Sequence, residues 1–292
     1  MTAVYRNFDR AELWREYDIE ATVTDLGSYL GRYADLTAEM KRTLRCHENV
    51  AYGSGDAETL DLYPALPGPD LSPAFLFIHG GYWRLGSRNG SGFMAKTLTE
   101  RGIACASIDY GLAPDVSVDE MVRQARASVA WLYRHGEEYG VDKDRIYIGG
   151  SSAGAHLSAM IMAPGWHQGA DVPLNLVKGA ILLSGLYDLE PLRFCEPNSW
   201  LRLDSDAAHR NSPIHNLPAN EIPLLIAYAS EETAEFKRQS VSFGAALTDQ
   251  GFACEAREFS GLNHFNLVGE LTKPDSDLTQ QVLSLIDGSA RA

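Results

Sequence analysis

The chain has 292 residues, 45% of them hydrophobic and 22% charged, which is enough apolar material for a sizeable core. Its net charge of −14 argues against nucleic acid or an anionic membrane surface as a partner, because both would repel it. No apolar run approaches membrane-spanning length and the first residues lack the apolar stretch of a secretory leader, so a cytoplasmic protein is expected.

Residues 1–45 read as helical, at 9–17 and again at 24–45, a segment expected to pack over or beside the main domain. Two strands, 48–52 and 59–64, flank the turn 53–56 and read as a hairpin. Residues 74–78 form a continuous apolar run, as in a strand buried on both faces, and lead into His79-Gly80-Gly81-Tyr82-Trp83. A helix over 90–101, a strand over 103–108 and a long helix over 117–139 follow. Ser117 with Glu120 suggests a capping box at the start of the long helix. Residues 146–149 are a further strand, with a helix behind Ser152 and another apolar strand at 179–183. From 184 to 220 the pattern loses its period, which predicts a cap-like insertion over the carboxyl edge of the sheet. Strands at 224–228 and 252–259 alternate with a helix whose Phe236, Ser240, Phe243 and Leu247 share one face. A helix over 277–286 ends the series. The alternation predicts one α/β domain over 1–292, with a mostly parallel sheet of about eight strands covered by helices on both faces.

The central motif is Gly150-Ser151-Ser152-Ala153-Gly154, a G-x-S-x-G standing between a strand and a helix. In that setting the serine occupies a sharp, strained turn, and only residues without bulk fit two places either side of it. The register makes Ser152 the nucleophile. A serine hydroxyl needs a base to take its proton, and the base needs a group to orient it. The expected chain order is serine, acid, histidine. His264 lies in the loop after the last strand and is the histidine of choice. Glu232, after the penultimate strand, is the preferred acid, with Glu231, Glu235 and Asp188 as alternatives.

Attack on a carbonyl creates an oxyanion that needs aimed donors. The backbone N–H of Ala153 should supply one, and those of Gly81 and Tyr82 others, with Gly80 a further candidate. His79 is expected to hold its loop by a side-chain hydrogen bond, and His156 to be packed and hydrogen-bonded. Tyr82, Trp83, Trp200 and Phe194 are candidates for lining an aromatic substrate pocket. The eight histidines form no HExxH, and no phosphate-binding glycine loop is present, so neither a metal nor a cofactor is expected. Cys46, Cys105, Cys195 and Cys254 stand far apart without a CxxC. They read as reduced, buried thiols, Cys105 and Cys254 within strands.

With these residues in view, the chain resembles the α/β-hydrolases, and more narrowly the animal and fungal type of kynurenine formamidase and its bacterial relatives. The likeness runs nearly end to end. It includes the H-G-G-x-W of residues 79–83, the S-A-G of 152–154, the stretches 184–191 and 235–240, and Asn263-His264-Phe265. The first two motifs are shared with many small-ester hydrolases, whereas 184–191 and 235–240 are closer to the formamidases. The resemblance implies a Ser152–His264–Glu232 triad and a small-molecule substrate, N-formylkynurenine leading. Carboxylesterase or thioesterase action on other small acyl groups is the alternative, and a non-catalytic ligand-binding member of the fold a remote one. A homodimer is left open. Ser151 stands where the formamidases usually carry histidine, and Glu232 where the animal enzymes carry aspartate.

Overall fold

The structure, a computed structural model, describes residues 2–66 and 70–288. Among these, eight strands form one sheet: β1 (His47–Ala51), β2 (Thr59–Tyr63), β3 (Ser72–Ile78), β4 (Ala104–Ile108), β5 (Val141–Ser151), β6 (Val177–Leu183), β7 (Leu224–Ala229) and β8 (Ala256–Phe259). Their order is β1-β2-β4-β3-β5-β6-β7-β8; β1 and β2 pair antiparallel with their neighbours, and the other strands run parallel. Helices α1 (Arg10–Tyr17) and α2 (Leu26–Thr43) precede the sheet. After them come α3 (Ala95–Thr99), α4 (Val118–His135), α5 (Ala153–Met162), α6 (Asn198–Leu201), α7 (Ser205–Arg210), α8 (Ala234–Asp249) and α9 (Asp277–Asp287).

The apolar run of β3 is explained by two-sided burial. Ala74, Leu76 and Ile78 pack into the core on one face of the sheet, while Phe75 and Phe77 pack into that on the other. From β3 the chain builds first towards β4 on one side and then towards β5 on the other. The carboxyl ends of β3 and β5 therefore flank the point where strand order reverses, the usual place for a site in an open α/β sheet.

The N-terminal helices are pinned across that edge by specific bonds. The Tyr82 hydroxyl donates to the Tyr17 carbonyl, and Thr233 Oγ1 donates to the Glu16 carbonyl at 2.6 Å. The Tyr33 hydroxyl donates to the Phe265 carbonyl at 2.6 Å. Further along α2, Lys41 Nζ reaches the buried Asp61 at 2.6 Å, and Arg88 Nε reaches the same carboxylate at 3.0 Å.

Three local expectations are corrected. The capping box of α4 is half formed: Ser117 Oγ accepts from Glu120 N, but the Glu120 side chain turns to Arg123 and Gln124. The helix expected over 90–101 is interrupted, a 3-10 turn at Arg88–Gly90 being followed by the short α3. The last strand begins at Ala256, not at 252, because Gly251 (φ 91°) and Phe252 close the end of α8, with Phe252 N donating to the Leu247 carbonyl at 3.1 Å. Cys254 therefore lies before the strand, where its carbonyl accepts from Thr248 Oγ1 at 2.7 Å. Among the described residues no helix is long and apolar enough to cross a membrane.

Candidate active site

Strand β5 delivers Ser152 at its carboxyl end, and the serine adopts φ 57° and ψ −121°, a conformation costly for a side-chain-bearing residue. Packing enforces that turn. A Cβ on Gly154 would stand 2.0 Å from the Ile78 carbonyl oxygen, and one on Gly150 would stand 2.4 Å from the Gly154 carbonyl carbon. Both glycines are thus required by the close approach of the elbow to the end of β3. Ser152 N donates to the Leu183 carbonyl at 2.8 Å, tying the turn to β6 as well.

His264 Nδ1 lies 3.1 Å from Glu232 Oε1, and both side chains are buried. Because Nδ1 is committed to the carboxylate, Nε2 is the nitrogen left to exchange a proton. The ring is held edge-on by Phe236 and Phe265, with centroids 4.9 and 5.2 Å away. Ser152 and His264 border one cavity of about 310 Å³. The other candidate acids are engaged elsewhere. Glu235 pairs with Arg238 at 2.8 Å, Asp188 accepts from the Tyr5 hydroxyl at 3.1 Å, and Glu231 is exposed.

The sequence reading missed Ser184. Its hydroxyl donates to Glu232 Oε1, the oxygen that also accepts from His264, and it is fully buried at φ 51°. The signal for it would have been a serine directly after strand β6, beside the carboxyl end of β7. Its amide donates to the Ala227 carbonyl at 2.7 Å.

The loop after β3 lies against Ser152: a Cβ on Gly80 would stand 2.8 Å from the Ser151 carbonyl oxygen and 3.1 Å from Ser152 Cβ. Three successive residues, Gly81 (φ 112°), Tyr82 (φ 50°) and Trp83 (φ 56°), take left-handed conformations. Only the first is free of steric cost. Side chains hold the other two. Trp200 Nε1 donates to the Tyr82 carbonyl at 3.0 Å, and Trp83 Nε1 donates to His156 Nδ1 at 3.2 Å. Among the described residues the N–H groups of Gly81, Tyr82 and Ala153 find no intramolecular acceptor, so they are available to a bound oxyanion.

Two further buried histidines, His79 and His156, serve this scaffold. His79 Nδ1 bonds the Gly80 carbonyl at 2.7 Å, and its ring stacks on Tyr110 at 4.4 Å. His156 Nε2 bonds the Asn211 carbonyl at 2.7 Å while Nδ1 accepts from Trp83, so α5 is tied to both the loop and the 184–220 insertion. Burial lowers each imidazole to about 4, which keeps both neutral.

The cavity walls differ from expectation. Tyr82 lines the cavity, but Trp83, Trp200 and Phe194 do not. The two tryptophans point their indole N–H groups into the scaffold described above, and Phe194 packs beneath Arg10 and Arg193. No residue of the 184–220 insertion borders the cavity either. The N-terminal segment lines it instead, through Ile19, Glu20, Leu26, Leu30, Tyr33 and Ala34. Among the described residues no cluster of histidine, cysteine and carboxylate could hold a metal ion.

Comparison with known proteins gives consistent relatives. The family model BD-FAE matches residues 60–172. The chain is 35% identical over 248 residues to a kynurenine formamidase of Salmo salar and 34% identical over 247 residues to one of Danio rerio; each alignment covers 82% of both proteins. Among solved structures, a protein of a Silicibacter species assigned as a thioesterase superposes with a TM-score of 0.80 at 25% identity, covering 94% of this chain and 99% of that one. An esterase of Pyrobaculum calidifontis superposes with a TM-score of 0.71 at 19% identity, covering 97% and 98%.

Proposed function

The chain belongs to the kynurenine formamidase family of α/β-hydrolases, and from that footing we propose that Ser152, His264 and Glu232 are its catalytic triad and an N-formyl arylamide its substrate. The protein is a serine hydrolase. One observation carries the assignment of roles: the Nδ1–Glu232 bond of 3.1 Å orients an imidazole on the same cavity as a serine in a strained strand-to-helix turn.

In this mechanism Ser152 Oγ attacks the formyl carbonyl as His264 Nε2 takes its proton. Glu232 fixes the imidazole's tautomer and balances the imidazolium that forms. The N–H groups of Ala153, Gly81 and Tyr82 receive the oxyanion. Collapse breaks the C–N bond, and the proton returns from Nε2 to the departing arylamine. Water, deprotonated by the same nitrogen, then releases formate from the formyl-serine.

N-formylkynurenine leads as substrate because both fish relatives carry that activity in their names and the cavity is walled by aromatic and aliphatic side chains, Tyr33, Phe77, Phe93, Phe265 and Val268 among them. Cleavage of a small ester or thioester by the same groups draws support from the Silicibacter and Pyrobaculum structures. A coenzyme A thioester fits less well, since among the described residues no lysine or arginine lines the cavity to meet its phosphates. Side-by-side rates on N-formylkynurenine, p-nitrophenyl acetate and an acyl-CoA rank these substrates. Ser152→Ala should lower turnover of the preferred one by about 10⁴-fold or more and abolish labelling by a fluorophosphonate. Wild-type rates in that variant would overturn the mechanism.

A further inference from the structure

Among the described residues, Glu20 is the one acidic residue lining the cavity beside Ser152, and no lysine or arginine lines it. Glu20 belongs to the 3-10 turn Ile19–Thr22, which starts two residues after Tyr17, whose carbonyl accepts from the Tyr82 hydroxyl. The carboxylate is therefore carried by a segment fastened to the oxyanion loop itself. The same wall also carries the apolar side chains of Ile19, Leu26, Leu30 and Leu85.

Among the described residues the Glu20 carboxylate has one internal partner, an ion pair with Arg84, and no hydrogen bond. Arg84 Nη2 stands 3.7 Å from Glu20 Oε1, too far for a hydrogen bond, and both side chains are about one-third exposed, 37% and 35%. Arg84 is anchored by another contact, its guanidinium carbon lying 3.9 Å over the Trp200 ring. Among the described residues no hydrogen-bond donor reaches the Glu20 carboxylate. A carboxylate on a cavity wall that carries no other formal charge and gives it no hydrogen-bond donor matches a cationic donor on the ligand.

We propose that Glu20 determines specificity by receiving a primary ammonium group carried by the substrate, so that the site selects acyl or formyl aryl compounds bearing an amine over neutral or purely anionic ones. This rests on the hydrolase reading above and narrows it: the amino group of a kynurenine-type amino acid is such a cation. Glu20 touches no reacting atom and leaves the proton relay to His264.

The test compares wild type with Glu20→Gln on two substrates differing in one group, N-formylkynurenine and its deamino analogue, 4-(2-formamidophenyl)-4-oxobutanoate. Wild type should favour the amino compound in kcat/KM, and Glu20→Gln should reduce that preference about tenfold or more, chiefly through KM. An unchanged ratio overturns the proposal. If neither formamide is turned over, the substrate reading fails separately, and the assignment of Glu20 is then decided by competitive inhibition of p-nitrophenyl acetate hydrolysis. Benzylamine should inhibit wild type more tightly than benzyl alcohol, with the difference lost in Glu20→Gln. Equal inhibition of wild type by the two overturns it.

Discussion

The Ser184 hydroxyl and the His264 imidazole share one oxygen of Glu232. The carboxylate is thereby gripped from the end of β6 and cannot rotate without losing both partners. Hydrogen bonds to charged groups contribute about 1.5–3 kcal/mol. Ser184→Ala should therefore lower kcat/KM by about tenfold to a hundredfold while the fold persists. Ser184→Gly separates hydroxyl from backbone, since glycine accepts φ 51° without strain. Activity retained in the glycine variant would show that the hydroxyl is dispensable.

Gly80 and Gly154 should fail in different ways. Gly154→Ala drives a Cβ to 2.0 Å from the Ile78 carbonyl, a backbone atom of a central strand, and should cost about 3 kcal/mol of stability. Gly80→Ala meets Ser151 O at 2.8 Å and Ser152 Cβ at 3.1 Å, where the turn carrying Ser152 has to yield. Calorimetry and kinetics on the pair should give the larger fall in Tm for Gly154→Ala. The larger fall in kcat per degree lost belongs to Gly80→Ala.

Trp200 supports the Tyr82 carbonyl and does not border the cavity. Trp200→Phe removes one hydrogen bond, worth about 1 kcal/mol, from the loop proposed to supply oxyanion donors. The expected result is a fall in kcat of roughly fivefold with KM little changed. A rise in KM alone would mean that the indole contacts substrate after all.

Acid should weaken the fold through two buried histidines. His79 and His156 are lowered by burial from 6.5 to about 4. Between those values the unfolded chain binds protons that the folded one refuses, so stability is full above about pH 6.5 and is lost as pH falls towards 4. His156→Gln carries no titrating group at that position. It should start less stable at pH 7, because the bond from Trp83 or that to Asn211 is impaired, yet its Tm should fall less than wild type's between pH 7 and pH 4.5. Parallel Tm curves for the two proteins would contradict this.

The parts of the site that were legible in the sequence are those fixed by local chemistry. A G-x-S-x-G between an apolar strand and a helix can fold in few ways, and Gly150 and Gly154 carry the reason in their own lack of bulk. Glu232 and His264 follow from chain order once the strands are placed. What escaped is set by neighbours distant along the chain. Ser184 reaches Glu232 across 48 positions because β6 and β7 are adjacent in the sheet. Trp83 and Trp200 looked like pocket residues because composition does not tell which way an indole points; their N–H groups found acceptors in the scaffold instead. The insertion 184–220 packs towards α1, α5 and α8, and helix α2 with the turn before it lines the cavity instead.

That division of labour has a consequence for how the protein can change. Six residues within 19–34 line the cavity, and none of them contributes a bond to the elbow, the imidazole or its carboxylate. Exchanging that short stretch for a related one should retune which molecules are admitted while the bond-breaking apparatus is inherited whole. In this chain, diet and digestion are written in separate paragraphs.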